Sequence, residues 1–161
     1  MPKIMRKVDI RGGQFTYGQR IELGRILQNA KLSEFAKMDA CMKCLVPKWS
    51  FLNIRESIAW WPEVIDGLAY WINRENKELY KAPTTEEKAA GILDLQRKIS
   101  YMGVITSLAK EFATDPDTIL SWKYAKVFNI LYTDMQRAIF HERLHKNREE
   151  KAARARKAKR R

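Results

Sequence analysis

At 161 residues, with 45% hydrophobic and 11% aromatic side chains, the chain has the size and composition of one folded domain with a real core. No apolar run approaches the roughly 20 residues of a membrane span, the opening Met-Pro-Lys-Ile-Met-Arg-Lys lacks a signal peptide's apolar stretch, and two cysteines cannot build a disulfide framework. A cytoplasmic, non-secreted protein with no membrane partner is expected. The formal charge of +12 sits at the ends: residues 146–161 carry nine Lys/Arg against two Glu, residues 1–13 four against one, and everything between is only +2. That pattern describes basic extensions on a nearly neutral body.

In chain order, residues 7–17 read as a β-hairpin. Gly12-Gly13 suits a two-residue turn that sets Ile10 opposite Phe15 and Val8 opposite Tyr17. A competing signal overlaps it, because Thr16-x-x-Gln19 is a capping box that starts a helix. Helix one is expected from Gly18 to Asn29, burying Ile21, Ile26 and Leu27. Ser33 caps helix two, with Phe35, Met38, Met42 and Leu45 at helical spacing and Pro47 at its exit. Residues 50–60 suggest a short helix. Pro62 then opens helix three, along which Ile65, Leu68, Ile72 and Leu79 recur every three or four residues.

A second capping box, Thr84-x-x-Glu87, begins helix four, expected to run from Thr85 to Phe112. Ile92, Leu95, Ile99, Met102 and Ala109 form one seam on it, and Leu93, Val104, Ile105 and Leu108 widen the apolar surface, so it should be covered on more than one side. Asp115-Pro116-Asp117 is a helix start, with a side-chain acceptor at the cap and proline at the first position. With no Gly or Pro after Pro116, one long helix is expected from there into the basic end. Its stripe is Leu120, Tyr124, Val127, Leu131, Met135 and Ala138, turning polar at Glu142. Past His145 no apolar face remains, so the last turns should be solvated and frayed, or ordered by a partner. The predicted architecture is mainly α: a bundle of about five helices over residues 1–145 with a small N-terminal β-ribbon, then a basic helical extension over 146–161.

Candidate chemistry is sparse. Cys41-x-x-Cys44 and His141-x-x-x-His145 spell the two halves of a zinc site, but 96 residues separate them and both fall in predicted helices, so small buried cysteines and solvated histidines account for them better. Gly13-x-x-x-x-Gly18-Gln19-Arg20 has the glycine spacing of a phosphate loop without its Lys-Ser/Thr, so turn glycines account for it better. No Ser/His/Asp or Cys/His set can be assembled, so no catalytic residue, metal or cofactor is assigned. Trp60, Trp61, Tyr70, Trp71 and Trp122 could stack bases, although tryptophan at helical spacing among aliphatics far more often describes core. Lys146, Arg148, Lys151, Arg154, Arg156, Lys157, Lys159, Arg160 and Arg161 could contact phosphates or an acidic partner. A membrane-surface role is disfavoured, since that segment offers only alanines as an apolar face.

Two stretches carry a resemblance. Phe15-Thr-Tyr-Gly-Gln-Arg-Ile-Glu-Leu23 resembles the opening helix, roughly T-x-G-Q-x-I-x-L, of small accessory proteins of tailed phages. Asp115-Pro-Asp-Thr-Ile-Leu-Ser-Trp-Lys-Tyr124, running to Phe140-His-Glu-Arg143, is similar to the closing helix of phage tail assembly chaperones. The resemblance implies a non-enzymatic assembly protein of the host cytoplasm. It would hold an aggregation-prone virion structural protein, such as the tape measure, through apolar helix faces. Some members are extended by ribosomal frameshifting, with which a Lys-rich terminus is compatible. The alternative expectation is a nucleic-acid-binding protein acting through its basic C-terminal helix, and self-association is a further possibility for the apolar faces.

Overall fold

The computed structural model describes residues 7–46 and 54–159, the last three as backbone. The described residues are mainly helical and contain no strand. The helices are α1 (Tyr17–Gln28), α2 (Glu34–Leu45), α3 (Ile54–Arg74), which runs into a π-helical turn (Glu75–Leu79), α4 (Thr85–Ala89), α5 (Ile92–Glu111), α6 (Pro116–Ser121) and α7 (Tyr124–Lys159). The chain divides into two compact units, Met1–Val127 and Phe128–Arg161.

The expected β-hairpin does not form. Asp9 instead closes a tight turn, accepting from Gly12 N–H through Oδ1 at 2.8 Å and from Gln14 N–H through its carbonyl at 3.0 Å. The second half of the would-be hairpin is claimed by the helix signal that overlapped it. Thr16 Oγ1 accepts from Gln19 N–H at 3.1 Å while Gln19 Oε1 accepts from Thr16 N–H at 2.8 Å, a complete capping box that fixes the start of α1. Ile10 and Phe15 are both buried, not as a cross-strand pair but as plugs in the helical core. The Trp71 indole N–H donates to the Ile10 carbonyl at 2.8 Å. Gly67 on α3 makes room for Ile10, since a Cβ there would lie 2.8 Å from its Cγ2.

The extended backbone at Thr16 pairs with the C-terminal part of this unit. Tyr17 N–H donates to the Trp122 carbonyl at 2.9 Å, Tyr124 N–H to Phe15 at 2.8 Å and Ala125 N–H to Gly13 at 3.3 Å. These bonds explain why the helix signalled at Asp115 is not continuous. Asp115 caps α6 as expected, accepting from Thr118 N–H at 2.8 Å with Pro116 in the first turn. The helix then opens at Trp122, where φ −66° and ψ 146° are extended, and resumes as α7 at Tyr124. Backbone groups given up by the helix are taken by residues 13–17, a long-range satisfaction that sequence periodicity does not encode.

Ser33 caps α2 as expected, and Met38, Cys41, Met42 and Leu45 are buried, although Phe35 is half exposed. Pro47 lies outside the described residues. On α1 the fully buried aliphatic is Leu23; Ile21, Ile26 and Leu27 are only half-buried. Pro62 does not open a helix but sits inside α3. It leaves the Ile58 carbonyl without a helical donor, and both residues are on the exposed side, where solvent can supply one. The buried stripe of α3 is Ser57, Trp60, Val64, Gly67, Leu68 and Trp71, so Leu68 is in the core while Ile65 and Ile72 are displaced from it. Of the segment 50–60, positions 50–53 lie outside the described residues.

The expected single helix over 85–112 is broken twice. The Thr84 capping box forms, with Glu87 N–H donating to Thr84 Oγ1 at 3.2 Å, but α4 lasts only to Ala89. Gly91 then takes φ 83°, open to glycine at little cost, and α5 restarts behind it. Within α5, Ser100 has φ 47° and ψ −138°, which interrupts the helix. Ile105, Leu108 and Ala109 of α5 are buried, and α5 packs on α6, α6 on α1, and α2 against both α1 and α3. The expected coverage of the rest of α5 is not found.

Candidate functional site

A part-buried polar cluster of the first unit joins residues far apart in sequence, 55 positions between Arg20 and Glu75 and 49 between Glu75 and Tyr124. Glu75, at the head of the π-helical turn, accepts from Arg20 Nε at 2.9 Å and from its second nitrogen at 2.8 Å, and also from the Tyr124 hydroxyl. Burial pushes the Tyr124 phenol far above its ordinary value, assisted by its bond to Glu75 and that carboxylate's charge. Burial, then the Glu75 charge, raises Tyr17 to about 12. The rings of Phe15 and Tyr17 stack on Tyr124, and Trp71 meets it edge-on at 5.0 Å. A hollow of about 280 Å³ borders the cluster between α1 and α3, but its charged walls, Arg20 and Glu75, are paired with each other. The arrangement ties α1, α3 and the start of α7 together. No spacing rule links Arg20 to Glu75, so sequence reading had no signal for it.

The zinc halves do not assemble. Cys41 and Cys44 are on α2 in the first unit and His141 and His145 on α7 in the second, and no group of three His, Cys, Asp or Glu among the described residues is placed to hold a metal ion. Burial, followed by the Cys44 charge, pushes the Cys41 thiol up to about 12, and burial raises Cys44 as well. That is opposite to what a thiolate ligand or nucleophile requires. His145 instead lies 3.5 Å from Glu149 one turn on.

The aromatic residues considered for base stacking are mostly committed. Trp60 and Trp71 are buried. Trp122 has the Lys126 ammonium 3.4 Å from its ring centre and Phe112 edge-on at 5.2 Å. Gly13 donates its N–H back to Ile10 and Gly18 is packed against the Leu120 carbonyl, so neither glycine cradles a phosphate.

Two surfaces remain. The first is apolar and belongs to α5: Leu93 and Leu95 are each 50% exposed, Ile99 41% and Met102 48%, with Tyr101 exposed next to Met102 in the chain. Leu95 and Ile99 are one turn apart and share a face. The second is the basic end of α7, a helix of 36 residues. Lys146, Arg148, Lys151, Arg154 and Arg156 are all exposed on it. Lys157 and Lys159 fall within the same helix, while Arg160 and Arg161 lie outside the described residues. The helix thus continues as far as Lys159 with nothing buried beyond Phe128 among the residues described. No helix among the described residues is long and apolar enough to cross a membrane.

Comparison with protein-family models, with curated proteins and with solved structures returns no match, so function is read from this chain's own surfaces.

Proposed function

We propose that this chain is a non-enzymatic assembly or adaptor protein that works by protein–protein contact through α5. The observation that carries the reading is the row of aliphatic side chains on the first half of that helix. Four large apolar residues, about half exposed, follow one another within ten positions, and each would gain roughly 25 cal/mol per Å² of apolar area covered by a partner. Exposed aliphatic clusters of this kind mark interaction sites. The breaks at Gly91 and Ser100 bracket Leu93, Leu95 and Ile99, and Met102 lies just past Ser100, before burial begins at Ile105. The paired state of Arg20, Glu75 and Tyr124, and the raised thiols of Cys41 and Cys44, offer no free acid, base or nucleophile to support an enzymatic reading.

The resemblance to tail assembly chaperones adds the partner class: a virion structural protein with long apolar helices, such as a tape measure, held soluble in the host cytoplasm until assembly. The test is light scattering of an aggregation-prone tape-measure polypeptide during dilution from denaturant. The wild-type chain is expected to suppress scattering near equimolar ratio. The variant carrying Leu95→Glu, Ile99→Glu and Met102→Glu is expected not to. Equal suppression by both would reject α5 as the contact surface.

A further inference from the structure

A different surface, in the second unit, points to a second kind of partner. From His145 to Arg156 every described residue of α7 is exposed. Lys146, Arg148, Lys151, Arg154 and Arg156 have no ion-pair partner among the described residues. Their placement around the helix is informative. At 3.6 residues per turn, taking Lys146 as zero, Arg154 lies at roughly 80°, Lys151 at roughly 140°, Arg148 at roughly 200° and Arg156 at roughly 280°. No arc wider than about 80° lacks a cation. The two acidic residues do not undo this, because Glu149 and Glu150 set two negative charges against five positive ones.

A flat anionic surface, whether a membrane or an acidic protein face, reaches only half of such a helix and leaves the other cations unused. A membrane would also need an apolar face, and this segment offers alanine. A groove with phosphates on both walls flanks such a helix on two opposite sides, so cations spread around it meet phosphate on more than one face. Ala152, Ala153 and Ala155 keep the helix slender between its cations. An α-helix about 10–12 Å across matches the major groove of B-form DNA, about 12 Å wide, whereas the major groove of duplex RNA is too deep and narrow to admit it. We infer that the His145–Arg156 segment of α7 lies in the major groove of duplex DNA, holding the phosphates of both walls without reading sequence. The segment is about 18 Å long, enough for about five base pairs.

The test is fluorescence anisotropy with the full chain on a labelled 16-base-pair DNA duplex, the RNA duplex and DNA single strand of matching sequence, and vesicles containing phosphatidylserine. Duplex DNA is expected to bind tightest. Five phosphate contacts give a log–log salt slope of about −4.5, hence roughly a 500-fold loss of affinity from 50 to 200 mM salt. Lys151→Ala, Arg154→Ala and Arg156→Ala together are expected to bring that slope to about −2. Ala153→Pro keeps every charge but breaks the helix, and is expected to weaken duplex binding at least tenfold. Unchanged binding by Ala153→Pro, or equal affinity for duplex RNA, single strands or vesicles, would overturn the groove assignment. Circular dichroism melts of each variant keep a folding defect from being mistaken for either outcome.

Discussion

Helices α3 and α5 are nearly equal in length, 21 and 20 residues, and both are rich in large apolar side chains, yet they are used differently. Along α3 the buried positions run from Ser57 to Trp71, and its large exposed aliphatics are confined to Ile58 and Ile72. Along α5 full burial begins only at Ile105, and Leu93, Leu95, Ile99, Tyr101 and Met102 before it are exposed. The difference follows from what each helix meets. The α3 stripe is filled by the N-terminal turn, with Ile10 seated over Gly67 and bonded to Trp71 through its carbonyl. The first half of α5 meets no such plug among the described residues, and is broken from its second half at Ser100. Apolar surface that the fold leaves uncovered is what a binding partner can use.

The contrast can be broken first on the α3 side. Trp71→Ala removes a buried indole, the tether to Ile10 and the edge contact with Tyr124, and is expected to cost about 3–5 kcal/mol in denaturant unfolding. Gly67→Ala drives a methyl into Ile10 and is expected to cost about 1–3 kcal/mol, although alanine favours helix. Thr16→Ala, which removes the cap joining the N-terminal turn to α1, should lower stability by about 1 kcal/mol.

Alkaline titration is expected to give a smaller, directional effect. Tyr124 and Tyr17 keep their protons in the folded state well above the ordinary phenol value of 10, while the unfolded chain releases them near it. The unfolded state then binds fewer protons than the folded one, so stability is fully present below pH 10 and declines as pH rises above it. Tyr124→Phe should flatten that decline in melts at pH 9 to 11, and an unchanged decline would mean that burial does not hold the Tyr124 phenol protonated.

Local signals with a side-chain mechanism were legible in the sequence. The capping boxes at Thr16 and Thr84 and the caps at Ser33 and Asp115 all form. Periodicity gave the right helix type but not always the right face, placing Ile65 and Ile72 where Val64 and Trp71 are buried. What failed were features decided by a competing local signal or by distant partners. The hairpin lost to the Thr16 cap, and the helix from Asp115 lost to backbone bonds between Trp122–Ala125 and Gly13–Tyr17. The predicted burial of Leu95 and Ile99 assumed a neighbour that the described residues do not provide. Both cationic and apolar candidate surfaces were visible as composition, but which side of each helix stays open was not.

The measurement that reaches the central claim most directly is a thermal melt, with ANS fluorescence alongside, of the variant carrying Leu95→Glu, Ile99→Glu and Met102→Glu. If these side chains serve a partner and not the fold, the melting temperature should stay within about 6 °C of wild type, since three surface changes of at most about 0.5 kcal/mol each total about 1.5 kcal/mol. The dye signal of the wild-type chain should be lost. A melting temperature lowered by 10 °C or more would show that these residues hold the protein's own core together, and the docking face on α5 would not exist.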